Sequence, residues 1–173
     1  MVTDSQPMHL PSGRRWLGFV VSTRKATLSA DLALVAVRAA LAWIFIVYGA
    51  QKLFGTFNGL GIHQTSLFMA NTAGLRPGGL FAVLGGVIEF GGAIALVLGL
   101  GARLAGLALF GDMVMAMITT TWVQGLHQAT PPGYELNVAL AALALVVALL
   151  GPGLYSVDAL AERRLVATGR ESA

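Results

Sequence analysis

The sequence predicts an all-α polytopic membrane protein, a bundle of four transmembrane helices. Three observations carry that prediction. Four apolar runs, each near the roughly 20 residues that cross a hydrocarbon core, are separated by turn-forming segments. Charge is scarce, at 11% of 173 residues, where soluble domains carry about 25%, and the mean hydropathy is +0.76. The 22 glycines follow no collagen-like period. In membrane helices small residues let backbones approach closely, so they suggest tight helix packing.

In chain order, residues 1–29 read as a basic cytoplasmic tail, 30–157 as the membrane domain and 158–173 as a cytoplasmic amphipathic tail. Ser12–Val20 has the outline of a twin-arginine signal, but its apolar run is short and meets Arg24 and Lys25 at once. Trp16 and Phe19 there suit an interfacial contact. The first span runs from about Leu32 to Phe54, with Asp31 as its expected N-cap and Ser29 as the alternative. Gly55–Gly79 is a long connection, within which His63–Gly74 suits a short surface helix. The second span is Leu80–Leu100, and Gly99–Gly101 makes so short a turn that the third span, Arg103–Trp122, must lie antiparallel beside it. The loop Gln124–Gly133 leads to the fourth span, Tyr134–Leu150. Gly151-Pro152-Gly153 ends that span, because proline cannot continue the helical ladder. Asp158 is the expected cap of a short basic helix, Ala159–Val166.

Lys and Arg counts set orientation. Arg14, Arg15, Arg24 and Lys25 precede span one, Arg103 sits between spans two and three, and Arg163, Arg164 and Arg170 follow span four. The opposite connections hold Arg76, with Lys52 at the end of span one. Both termini are expected to be cytoplasmic, in the plasma membrane of a prokaryote.

Chemistry concentrates in a few polar residues inside the spans. A carboxyl at the centre of a membrane helix, such as Glu89, costs roughly 2.5–3.5 kcal/mol to insert. Twelve Leu, Ile, Val and Phe residues share its span and return about 0.3–0.6 kcal/mol each, so the helix still inserts. Arg38, Phe45, Gly49 and Lys52 form one stripe on span one. Arg38 is expected roughly 10 Å in from the cytoplasmic end at about 1.5 Å per residue. Glu89 shares a face with Gly85, Gly86, Gly92 and Ala93, and Asp112 shares one with Met115, Thr119 and Trp122. Arg38, Glu89 and Asp112 are therefore expected to converge as a buried charge cluster. That cluster reads either as an ion pair locking the bundle or as a site where one of two carboxyls exchanges a proton. Tyr48, Gln51, Lys52, His127, Glu135 and Asn137 are expected at the outer end, with Lys52 pairing Glu135. They read either as snorkelling and capping residues or as a polar mouth for a quinone head group or small anion. Gly91, Ala95, Gly99, Ala102 and Gly106 form a small-residue ladder that suits helix association.

Several chemistries are excluded. There is no Cys, so no disulfide and no thiolate chemistry. No His lies within a span, which gives axial haem ligation little support, and His63 and His127 lack neighbours for a metal site. No Walker loop, hydrolase elbow or zinc signature is present. The positive charge sits at chain ends and span borders, a topology signal with no nucleic-acid footprint.

Assembled, these pieces resemble the DoxX family of small four-helix membrane proteins over about Leu34–Asp158. The likeness rests on Arg38 with FIVYGAQKLF (Phe45–Phe54), GGVIEFGG (Gly85–Gly92), LGLGAR (Leu98–Arg103), Glu135, and GPGLYSVD (Gly151–Asp158). That family is named alongside the small membrane subunit of an archaeal thiosulfate:quinone oxidoreductase. The resemblance implies service in a membrane redox complex and electron flow toward quinone, the one cofactor it suggests. With no self-contained catalytic motif, the chain is at most a subunit of a membrane oxidoreductase, and a protein partner would hold the redox centre. A non-catalytic scaffold or assembly factor holding a stable partner is the competing expectation, and a protein partner or a homo-oligomer is expected for the chain. A small-solute or proton carrier ranks third, because no inverted repeat or proline-broken span pair is present.

Overall fold

The computed structural model describes residues 28–127 and 133–171, with side chains as far as Arg164. The basic stretch holding Arg14, Arg15, Trp16, Phe19, Arg24 and Lys25, loop residues 128–132 and the Arg170 side chain lie outside the described residues. Among the described residues six α-helices follow one another: α1 Leu28–Phe54, α2 Gly61–Asn71, α3 Gly78–Leu98, α4 Ala102–Ala116, α5 Glu135–Leu150 and α6 Val157–Glu171. No strand occurs among the described residues. The chain is an all-α polytopic membrane protein, as its composition predicts.

Among the described residues three helical stretches are long and apolar enough to cross a membrane: Leu28–Phe54, Gly78–Leu98 and Ala102–Gln124. Helix α5 is equally apolar but has 16 residues, about 24 Å at 1.5 Å per residue. Helices α1, α3, α4 and α5 pack in a closed ring, α1 on α3, α3 on α4, α4 on α5 and α5 back on α1. Leu41, Phe45, Ala93, Leu96, Leu109, Leu140 and Val147 fill its centre.

Lipid tails are as apolar as leucine, so close packing and hydrogen bonds hold such helices together, more than hydrophobic burial does. Glycine makes the contact possible at two crossings. A Cβ on Gly49 would stand 2.5 Å from the Phe90 amide nitrogen, and one on Gly106 2.8 Å from the Ala144 carbonyl. The small-residue ladder divides accordingly. Gly106 packs α4 on α5, whereas Gly91 faces outward with nothing near it.

Helix α2 determines where the site lies. The chain turns sharply after α1. Gly55 and Gly61 take positive φ, and Gly59 lies so close to Gln51 that a Cβ would meet its Cα at 2.5 Å. Helix α2 then packs along the first half of α3, with Gly78 against the Ser66 carbonyl. It spans Gly61–Asn71, starting before the His63 expected from sequence and ending earlier.

Two expected caps act elsewhere. Asp31 lies within α1, fully buried, and its Oδ1 accepts the Leu154 N–H at 2.9 Å. Asp158 accepts the Gly101 and Ala102 N–H groups at 2.9 and 3.3 Å, so it caps α4. Ser156 caps α6, its Oγ accepting the Ala159 N–H at 3.1 Å. A carboxylate suits the unpaired amides and positive dipole end of α4 better than a hydroxyl. The turn after α5 carries both residues past that helix end.

Candidate functional site

The buried charged residues, Asp31, Arg38, Glu89 and Asp158, fall into two separate groups. The first is at the end of the bundle where α3 meets α4. Arg38 donates Nε to the Leu96 carbonyl at 2.8 Å, Nη2 to Val97 at 3.2 Å, and Nη1 to Pro152 at 2.7 Å and Tyr155 at 3.0 Å. The last carbonyls of a helix have no partner within it, and a cation is favoured at that end of the dipole. One guanidinium thus ties the end of α3 to the Gly151–Tyr155 turn. Gly99 is needed beside it, since its φ is +65° and a Cβ would meet Arg38 Nη2 at 2.5 Å. Arg103 closes the other side, donating Nη1 to the Leu149 carbonyl at 2.6 Å.

Arg38 therefore does not join Glu89 and Asp112, contrary to the expected cluster. The reason is depth. The first turns of α1 run past the end of α3, where Asp31 meets Leu154, so Arg38 is level with Leu96 and Val97. Backbone carbonyls reach it before any carboxylate does.

The second group lies in mid-membrane. Gly49 faces Phe90 and Leu53 faces Gly86 across the α1–α3 crossing. That register brings Lys52 level with Glu89, roughly 15 Å from either end of α3 at 1.5 Å per residue. Lys52 Nζ donates to Glu89 Oε1 at 2.7 Å, and Glu89 is 1% exposed. The Asp112 carboxyl comes from α4 into hydrogen-bonding contact with Glu89 and feels the Lys52 charge. Gly85 borders it, a Cβ there lying in ordinary van der Waals contact with Asp112 Oδ1 at 3.6 Å. Glu89 Oε2 and Asp112 Oδ2 are both buried and accept no hydrogen bond from a conventional donor. Two carboxylates in contact repel one another unless a proton lies between them. With one ammonium beside two carboxyls, a single shared proton makes the trio neutral.

A cavity of about 390 Å³ adjoins this trio. Its polar wall holds Lys52, Asp112, Thr119 and Thr120, and the rest is apolar, with Phe68 and Met69 of α2 and Phe81 and Ile88 of α3. Small-molecule sites are commonly apolar clefts of about this size with a few placed polar groups. The helix after α4 changes character at the cavity. Met117–Thr121 forms a π-helical turn and Trp122–Gln124 a 3₁₀ turn. Thr119 and Thr120 hydroxyls donate to the Met115 and Ala116 carbonyls at 2.8 and 2.6 Å. Those bonds hold carbonyls where the α-helical ladder is interrupted, and π turns of this kind occur frequently at functional sites.

The expected outer mouth is not one cluster. Lys52 pairs with Glu89 and not with Glu135, which contacts His127. Gln51 donates to the Phe57 carbonyl at 3.1 Å, and Tyr48 packs against the apolar core. Asn137 donates to Met113 Sδ at 3.9 Å and lies 3.5 Å from the Thr121 hydroxyl. Trp122 leaves the Asp112 face and stacks on Tyr134 at 5.3 Å. A lysine at the end of an apolar run reads as interfacial. Here α2 folds back beside α3, and Lys52, two residues from the end of α1, is held against buried Glu89.

The DoxX family model matches residues 33–122, which span α1 to the π segment and contain Lys52, Glu89 and Asp112. The chain belongs to the DoxX family. It is also 33% identical to the inner membrane protein YphA of Escherichia coli K12, over 72% of this chain and 87% of that protein. No solved structure matches it. As a DoxX protein it contacts the bilayer through its spans. The segments on which the resemblance rested fall into the two groups just described. Arg38, LGLGAR and GPGLYSVD build the end closure, while QKLF and GGVIEFGG build the buried trio. Sequence reasoning missed the cavity and the role of Thr119 and Thr120. The only signal was the run Thr119-Thr120-Thr121, three β-branched hydroxyl residues ending an otherwise apolar helix.

Proposed function

We propose that this DoxX protein is the membrane subunit of a quinone-linked redox complex, with Lys52, Glu89 and Asp112 exchanging a proton with a head group seated in the adjoining cavity. The observation that carries this reading is a surplus carboxyl. Lys52 and Glu89 already form a complete pair, and Asp112 adds a second acid on the cavity wall. Reducing a quinone to a quinol takes two electrons and two protons. The electrons come from a partner protein, since this Cys-free chain has no haem or flavin motif. The Lys52 ammonium donates a hydrogen bond to a quinone oxygen, and the carboxyl pair hands over the two protons one after the other, taking up a proton again between the two transfers.

The test is binding. The full chain in lipid nanodiscs is titrated with a short-chain ubiquinone analogue, with and without co-purifying proteins. Binding by the wild type, weakened in Glu89→Gln and Asp112→Asn, supports the reading. Failure to bind under both conditions refutes it, and a stable co-purifying partner would then favour a scaffold.

The same reading places the protein in a bacterial inner membrane with both termini cytoplasmic. The name of its relative supports the membrane. The arginines support the orientation, because Arg103, Arg163 and Arg164 belong to the closure end and its neighbouring α6. Burial of Lys52 against Glu89 also removes one cation from the opposite side, leaving Arg76 in the α2–α3 connection. Labelling of a Gln128→Cys variant only from the cytoplasmic side would overturn the orientation.

A further inference from the structure

We infer that the cavity is filled sideways, from the hydrocarbon of the bilayer, through an opening between α3 and α4 at Gly111. This rests on the binding reading above and adds the route and the class of ligand: a lipid-dissolved amphiphile with a flat, hydrogen-bonding head. The opening is visible in the lining. Leu84 of α3 and Leu107 and Met115 of α4 border the cavity and are also 48%, 55% and 47% exposed. All three lie within membrane-spanning stretches, where an exposed side chain faces lipid. Gly111 lies between them on α4, exposed, and a Cβ built there meets nothing within 4 Å. The lipid-facing rim is thus lowest at Gly111, one residue from Asp112. Helix α2 covers another side with Phe68 and Met69.

The route selects the ligand. A strongly hydrated solute cannot wait in hydrocarbon, whereas an amphiphile with an apolar tail can. Its head reaches Lys52 and Asp112 and its tail stays among the lipid chains. Thr119 and Thr120 supply hydroxyl oxygens on the same cavity wall. Each hydroxyl spends its proton on a carbonyl one turn back. Each keeps acceptor lone pairs for an O–H on the ligand.

Gly111 gives a variant that leaves the fold alone. Gly111→Leu puts its side chain in open space, and leucine has a better helix propensity than glycine. Gly91→Leu is the matched control, because Gly91 is equally open on α3 and does not line the cavity. Two measurements on the full chain in nanodiscs decide the matter. Affinity for a long-tailed quinone should fall about tenfold or more in Gly111→Leu and stay unchanged in Gly91→Leu. The natural absence of Cys allows a single nitroxide at Thr120→Cys. Its collisions with lipid-soluble oxygen should be frequent, those with a water-soluble nickel chelate rare, and Gly111→Leu should suppress the former. Equal quinone affinity in both leucine variants, or nickel collisions that dominate, would overturn lateral entry. If the wild type binds no quinone while the nitroxide still shows the lipid-side signature, the quinone reading fails and lateral access stands.

Discussion

Replacing Lys52 by Met tests the central pair. The change keeps an unbranched chain of similar length and deletes the ammonium. Glu89, 1% exposed, then loses its 2.7 Å bond and its only cationic neighbour among the described contacts. Removing one partner of a buried ion pair costs about 3–5 kcal/mol, because the other charge is left uncompensated. The value belongs toward the lower end here, since Lys52 is 26% exposed. Glu89→Gln cannot be left as a buried charge and should cost less. The double variant Lys52→Met/Glu89→Gln removes both charges and should be more stable than Lys52→Met alone. The assay is reversible unfolding of the four proteins in lipid nanodiscs, read as a double-mutant cycle. A coupling of about 2 kcal/mol or more is expected. Contacting pairs in one network give about 0.5–3 kcal/mol, and independent sites add within roughly 0.3–0.5 kcal/mol. A coupling inside that additive range, or a double variant less stable than Lys52→Met, would refute the pairing.

Three further outcomes follow from the packing. Arg38→Lys should destabilise nearly as much as Arg38→Met, because one ammonium cannot reach four carbonyls on two segments; each buried carbonyl left unpaired costs about 1–3 kcal/mol, and unfolding midpoints check this. Equal stability of Arg38→Lys and wild type would remove the fork from the account. Gly49→Val should cost about 1–3 kcal/mol by forcing α1 off Phe90, measured the same way, while Gly91→Val should cost far less. Asp112→Asn should abolish the infrared C=O stretch of a protonated carboxyl in the wild-type protein. A spectrum without that band in the wild type would mean that no proton is shared between Asp112 and Glu89.

Hydropathy located the spans closely, since burial in lipid needs only an uninterrupted apolar run. It also points to Arg38 and Glu89 as inward-facing, and both are buried, because a charge within such a run must turn inward. It could not pair them. Periodicity tells which face of a helix a residue occupies, while pairing depends on depth, which the relative sliding of helices decides. A depth for Arg38 counted from the start of its own apolar run is misplaced, because α1 begins earlier, at Leu28, and overhangs α3. The end of its apolar run puts Lys52 at the interface, whereas the fold-back of α2 brings Thr65 against its carbonyl and leaves its ammonium on Glu89. Position in the sequence makes Asp31 and Asp158 caps of the helices that follow them. Both instead bind backbone N–H groups brought near by the chain's return after α5, a contact between residues more than fifty positions apart.

The two polar groups differ in a way that bears on function. At the closure end, Arg38 donates to four carbonyls, Asp158 accepts two N–H groups and Ser156 both donates and accepts. Asp31 leaves one oxygen unpartnered there but fixes the Leu154 amide with the other. That end has the properties of a lock, and none of its residues lines the cavity beside Asp112. In mid-membrane the arrangement is less economical. Lys52 and Glu89 would suffice to hold α1 against α3. Asp112 brings a second carboxyl to the same place at an insertion cost of roughly 2.5–3.5 kcal/mol, and its neighbour is another acid. An apolar residue at that position would pack α3 on α4 without the cost. A group that stability does not require, set on the wall of a cavity that opens to lipid, is where proton exchange has its strongest structural argument. The same comparison makes Asp112, more than Glu89, the residue whose neutral replacement should separate activity from stability. Asp112→Asn should fold at least as stably as the wild type and lose ligand affinity, whereas Glu89→Gln should lose both.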